Sequence, residues 1–328
     1  MGRTTPSRVV DLTELFPELT DFARTATRLH PRPGVPEVTD SSVGGPFLWP
    51  ADEAWPVCRE QHDDVTDLQR PDDERLRRRV LADGYSRTGP GQRLQLTDQE
   101  RADLARIDRE LVAGVGLPPF PMMAVAQLFA RDVPDLVCPE GADLLQVLWC
   151  PIDHEAGCPR VLLKWRNSGD VVHVLPDQPE PPLMEMNTYL PEPCVLHPER
   201  VVECQYADLL PEKLRERIEE WEEATDHSYQ DLSIAHGWKV GGWASWHLTD
   251  PCPMDCECGQ EMRLLLTIAS SEWDAGYTWR PIEDEPTGTD PIYPRTDEPT
   301  MITIGRGYSL WIFVCPRSYD HPHQMSMQ

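Results

Sequence analysis

Gly307–His321 reads GYSLWIFVCPRSYDH, and Gly141–His154 reads GADLLQVLWCPIDH. Each is an apolar, aromatic-rich run that ends in Cys-Pro and then, a few residues on, Asp-His. The echo extends upstream. Val43-Gly44-Gly45 is followed by Trp49, and Val240-Gly241-Gly242 is followed by Trp246 at the same distance. A further apolar run lies between glycine pair and Cys-Pro in each case, Met122–Leu128 and Met262–Ile268. Three elements recurring in one order predict an internal duplication, and two copies are too few for a solenoid. The expectation is one pseudo-symmetric body.

The fold class this implies is α+β, mainly antiparallel sheet, with an N-terminal helix and a helical insertion in the first repeat. Met122–Arg131 and Leu144–Cys150 are apolar almost throughout, which suits strands buried on both faces; Leu310–Cys315 reads as the last strand, so late that it would pin the C-terminus to the core. Leu15, Phe16, Leu19, Phe22, Ala23 and Ala26 fall at helical spacing, so Val9–His30 reads as a helix stopped by Pro31 and Pro33. Leu68–Asp83 and Thr97–Ala113 read as charged helices, the second opened by a capping box from Thr97 to Glu100. Val161–Arg166 and Val171–Leu175 flank the turn residues Asn167-Ser168-Gly169-Asp170 and predict a hairpin. Cys194–Tyr206 holds a strand or two, and Pro211–Asp226 is an acidic helix with Leu214, Ile218 and Trp221 on one side. Trp273–Thr300, rich in proline and acid, reads as an exposed loop. These readings divide the chain into an N-terminal helix (1–36), a first repeat (37–160), a hairpin and bridging helix (161–236) and a second repeat (237–328), all in one body.

Composition narrows the function. Thirty basic side chains against 56 acidic ones leave a formal charge of −26. Nucleic-acid binders displace counterions with basic surface, and anionic membranes attract basic segments, so neither is an expected partner. Met1–Asp11 lacks the apolar core of a signal peptide, and no apolar run reaches the roughly 20 residues of a membrane helix. Ten cysteines without a secretory leader read as reduced thiols of a cytoplasmic protein. Hydrophobic residues at 40% and 11 tryptophans supply a core, and most of the tryptophans must lie in it.

Gly44-Gly45-Pro46 with Trp49-Pro50 and Trp55-Pro56 resembles the opening motif of the YwqG-like family, a bacterial group of unknown function. Ala124–Leu128, the Leu144–Trp149 run, Lys239–Trp243 and Leu264–Ile268 are similar to later motifs of that family, in an actinobacterial-type branch. The resemblance spans roughly Val43 to the C-terminus. It implies an α+β body dominated by antiparallel strands, and it brings no activity and no catalytic residues. The helical insertion between Trp55 and Met122 and the cysteine-rich segment depart from the family pattern.

That segment is Cys252-Pro-Met-Asp-Cys256-Glu-Cys258-Gly259. A cysteine pair followed by glycine resembles a zinc knuckle, although only one residue, not two, separates the cysteines. A structural zinc site takes four ligands in tetrahedral geometry, and Cys315 with His321 or His323 offers the other half. The leading expectation is a structural Zn²⁺ held by Cys256, Cys258, Cys315 and His321, with Cys252 and His323 as alternates. The ion would clip the loop before one strand to the end of the last strand. The first repeat holds a partial echo in Cys150, His154 and Cys158, with Cys138 as a further candidate. No knuckle accompanies it, and core and turn roles are preferred there.

Two functional readings follow. The favoured one is a non-enzymatic binding protein whose acidic surface selects a basic protein partner. The alternative is a metal- or thiol-dependent enzyme that uses Cys/His residues near the Cys-Pro strand ends, such as Cys150 with His154 or Cys315 with His321. Four protein ligands at the metal would favour the first reading, and three with an open position the second. The Gly-Gly pairs match no phosphate-loop pattern, and packing beneath Trp49 and Trp246 explains them better.

Overall fold

A computed structural model describes residues 2–60, 62, 65–89, 91–114, 117–154, 157–185, 187–274, 278–285 and 291–328. Two six-stranded antiparallel sheets dominate it. The first is built around β8 (Met123–Phe129) and β9 (Leu144–Asp153). Its order is β10-β9-β8-β3-β11-β2, with β2 at Arg32–Pro33, β3 at Ser42–Val43, β10 at Pro159–Arg166 and β11 at Cys194–Val195. The second runs β12-β1-β13-β14-β15-β16. Its strands are β1 (Ala23–Arg28), β12 (Glu199–Cys204), β13 (Lys239–Gly241), β14 (Arg263–Ala269), β15 (Ser309–Val314) and β16 (Gln324–Met327). Two small pairs complete the strands: β4 (Val57–Cys58) with β7 (Phe120–Pro121), and β5 (Val65–Leu68) with β6 (Val112–Gly114).

The central strands are buried on both faces, as their unbroken apolar runs predict. Val125, Leu128, Val147 and Trp149 of one sheet share the main core with Val240, Leu266, Leu310 and Ile312 of the other. The opposite face of the first sheet lies under Phe47 and Trp49, and that of the second under Ala244 and Trp246. Both tryptophans are buried, as expected.

The two central hairpins pair in the same pattern. Ala126 faces Val147 as Leu266 faces Ile312, and Gln127 faces Gln146 as Thr267 faces Trp311. The register slips once in each, between Ala124 and Ala126 and between Leu264 and Leu266. Outside them, Val43 pairs with Ala126 as Val240 pairs with Leu266. Gly44 (φ 65°) and Gly241 (φ 75°) then turn the chain through the left-handed region that glycine enters without strain.

The helices are α1 (Leu12–Leu15), α2 (Pro71–Ser86), α3 (Asp98–Arg109), α4 (Glu212–Ala224) and α5 (Tyr229–Ser233). The capping box on α3 is present, with Thr97 and Glu100 bonding each other's backbone amides. On α4, Leu214 and Ile218 are buried and Trp221 packs beside them.

Four expectations are corrected. Leu310–Cys315 is not the last strand, because Gln324–Met327 returns as β16 to pair along the free edge of β15. The helix expected over Val9–His30 breaks into α1, a 3-10 turn at Pro17–Phe22 and strand β1. Pro17 removes a helical amide, and Ala23–Arg28 is claimed on both sides by β12 and β13; pairing in the sheet overrides helical spacing. Val161–Arg166 pairs with β9, not with Val171–Leu175, because β9 and β10 are antiparallel neighbours that form the hairpin themselves. Leu175 instead donates its amide to Trp49. Trp273–Thr300 is not simply exposed: Trp273 and Trp279 are buried beside Ala235, and Arg8 stacks on Trp279. Residues 275–277 and 286–290 of that stretch lie outside the described residues.

Candidate metal centres

Cys256 and Cys258 sit just before β14, and Cys315 and His321 follow β15. Because β14 and β15 are neighbours, the four side chains meet at one end of the sheet. Their ligand atoms all lie within 4.8 Å of one another. Cys256 Sγ and Cys315 Sγ are each 3.3 Å from His321 Nδ1, and Cys258 Sγ is 3.6 Å from Cys315 Sγ. Zinc bonds of about 2.3 Å to sulfur and about 2.0–2.1 Å to nitrogen, at the tetrahedral angle, put sulfurs about 3.8 Å apart and sulfur about 3.6 Å from nitrogen. The observed spacings are close to those edges. The alternates are not in the group: Cys252 is exposed and turned to its neighbour's carbonyl, and His323 is not among the converging atoms.

The local backbone explains the convergence. Gly259 (φ 77°) closes a turn in which its amide donates to the Cys256 carbonyl, and the Cys258 amide points at Cys256 Sγ. The knuckle therefore forms with one intervening residue. After Cys315 the Pro316 turn aims the Arg317 and Ser318 amides at Cys315 Sγ. Burial alone would raise that thiol. The two amides, His321 and Cys258 instead hold it down to about 6, so a thiolate stands ready to ligate. Cys256 goes the other way: the Cys258 amide pulls it down, but burial and the adjoining thiols outweigh that.

A second group forms on the first sheet from Cys58, His62, Cys150 and His154, again with all ligand atoms within 4.8 Å. Cys58 ends β4, Cys150 lies in β9 and His154 follows it. Cys58 Sγ is 3.7 Å from both His62 Nε2 and His154 Nε2, and Cys150 Sγ is 3.3 Å from His62 Nε2. His154 Nδ1 meets the Glu60 carboxylate at 2.9 Å, and Arg160 pairs with the same carboxylate. Burial pushes both thiols up, Cys150 most of all, and pushes His154 down.

Of the four candidates in this half, Cys150 and His154 are in the group and Cys158 and Cys138 are not. Cys158 belongs to the main core and its carbonyl accepts from the His154 amide; Cys138 also packs against the core, the role preferred for it. Cys58 and His62 take their places. The signal was available: Cys58 and His62 have the same three-residue gap as Cys150 and His154.

Cys150 and Cys315 are fully buried, and each group presents four protein donors, of which His154, Cys258 and His321 are partly buried. A cleft of about 980 Å³ lies beside α2, Trp55 and the Tyr293–Met301 segment, and no member of either group lines it. Among the described residues no helix is long and apolar enough to cross a membrane. The chain matches no protein-family model, and no curated protein matches it in sequence.

Proposed function

We propose that this chain is a non-enzymatic binding protein whose second half is pinned by a structural zinc ion at Cys256, Cys258, Cys315 and His321. One observation carries the reading. Four donors, three of them thiols, converge at spacings near the edges of a zinc tetrahedron. Three thiols with one imidazole suit zinc. With four protein ligands, no position remains for substrate or activated water.

The alternative of a thiol enzyme draws on Cys315, held down to about 6 beside His321. Its sulfur is fully buried and hemmed in by two further cysteines, which suits ligation and not attack on a substrate. The partner in this reading is a basic protein surface. The charge of −26 supports it, as does the run of exposed Glu216, Glu219, Glu220 and Glu223 along α4, since such fields steer association. Ten free cysteines support a cytoplasmic location. Membership of the YwqG-like family belongs to the same proposal and rests on the motifs quoted above.

Elemental analysis of untagged protein tests the zinc. The expected result is bound zinc, one equivalent of which is lost in the Cys256→Ser/Cys258→Ser variant along with thermal stability. Unchanged metal content and an unchanged melting curve in that variant would sink the proposal. Salt-dependent capture of basic proteins tests the binding role; recovered partners with no basic bias would count against it.

A further inference from the structure

The two groups occupy the same place in two like-built halves. In each, a ligand pair from the stretch between the glycine strand and the hairpin meets a pair from the Cys-Pro end of the hairpin's second strand. Cys58 and His62 lie between β3 and β8, as Cys256 and Cys258 lie between β13 and β14. Cys150 lies near the end of β9 and His154 follows it, as Cys315 and His321 follow β15. The hairpins share register and bulge position. The amide two residues after each cysteine also agrees, with the Ile152 amide directed at Cys150 Sγ as the Arg317 amide is at Cys315 Sγ.

We propose that the halves are copies of one metal-binding unit, and that Cys58, His62, Cys150 and His154 hold a second divalent ion of the zinc class. Two features of the first half favour an ion over four idle side chains. Both histidines aim Nε2 at the thiols, and His154 is fixed in that pose by Glu60 on its other nitrogen. A carboxylate on the far nitrogen is the common way of orienting a ligating imidazole. Binding would release a proton from each thiol. Two thiolates and two neutral imidazoles then cancel the charge of a divalent cation, so a buried group carries no net charge. The first site is thus a two-sulfur, two-nitrogen centre, and the second a three-sulfur, one-nitrogen centre.

Cobalt(II) is the probe. Full-length protein freed of metal should take up two equivalents, both with tetrahedral spectra. The Cys256→Ser/Cys258→Ser variant should keep one equivalent with the weaker sulfur-to-metal charge transfer of two thiolates. Cys58→Ser/Cys150→Ser should keep one with that of three. If the wild type takes up one equivalent and Cys58→Ser/Cys150→Ser leaves it untouched, this inference fails while the zinc clip stands. If the single equivalent is lost in Cys58→Ser/Cys150→Ser alone, the clip fails and this inference stands. No uptake sinks both. Should a serine pair prevent folding, cadmium-113 NMR of the wild type decides: two resonances with shifts of different thiolate number are expected, and one resonance overturns the second site.

Discussion

The two central hairpins place different chemistry on one pairing register. Where the first sheet pairs Ser42, Gln127 and Gln146 across three strands, the second pairs Lys239, Thr267 and Trp311. Gln127 and Gln146 form an amide network, in which Gln127 accepts from the Leu48 amide and the Gln146 amide and donates to the Val38 and Asp40 carbonyls, while Gln146 accepts from Arg166. Lys239 instead meets Glu203 at 2.6 Å, with both side chains buried. Glu203 also accepts the Ala235 and Trp243 amides. Nearby, Glu272 is fully enclosed by His30, Arg32 and the Trp238 amide. The metal groups differ in the same sense, with two thiols and a carboxylate-braced histidine against three thiols. The frame decides where polar groups meet; the side chains decide how strongly pH and metal supply act on each half.

The largest effect should come from stripping metal with a chelator. Structural zinc in finger peptides contributes on the order of 10 kcal/mol or more, so the melting temperature should drop steeply and recover on adding zinc. Hydrogen exchange should show β14–β16 opening first, because three thiolates clip that end; protection unchanged by the chelator would break the contrast with the first sheet.

The next largest concerns the buried ion pair. Removing one partner of such a pair costs about 3–5 kcal/mol, since a charge is left buried alone. Glu203→Gln should lose that much in urea denaturation. A loss under about 1 kcal/mol, the level of an exposed pair, would mean the pair is not buried as described.

A third test separates the halves by acid. Burial alone would raise Glu272, but His30, Arg32 and Arg28 hold it at about 2; His30 and Thr5 do the same for Glu199 against its own burial. Both carboxylates are depressed in the folded chain. Their stabilisation is therefore full above their ordinary value near 4.5 and is lost as pH falls from there towards 2. Denaturant midpoints should decline across that window, and Glu272→Gln should flatten the decline. The bonds of Gln127 in the first sheet go to backbone groups and to the Gln146 side chain, none of which titrates, so Gln127→Ala should shift the curve without changing its slope.

The smallest effect is Glu60→Gln. Outer partners of ligating histidines alter metal affinity by about 10–100-fold. The first centre should release cobalt more readily by that margin while the second, and the melting temperature of the fully loaded chain, stay put.

Much of this was legible because it is local. The Cys256-Glu-Cys258-Gly259 turn, the Cys315–His321 segment, the capping box on α3 and the apolar runs of β8, β9, β14 and β15 each declare themselves within a few residues. Cys58 and His62 did not, since the inserted α2 and α3 separate them from the strand end they meet. Only the repeated Cys-x-x-x-His gap linked the pairs. The N-terminal segment misled for a related reason: Leu19, Phe22 and Ala26 do fall on a helical face, but β1 is needed between β12 and β13, and the sheet decides. The register shared by the two hairpins is a tertiary fact that the echoed motifs could only suggest.

The claim that both groups are closed metal centres is tested most directly by X-ray absorption at the zinc edge of the fully loaded chain. The account predicts only sulfur at about 2.3 Å and nitrogen at about 2.0–2.1 Å around the metal, with more sulfur than nitrogen. A bound-water oxygen, or a nitrogen- and oxygen-rich shell with little sulfur, would contradict it and return the open-site enzyme to consideration.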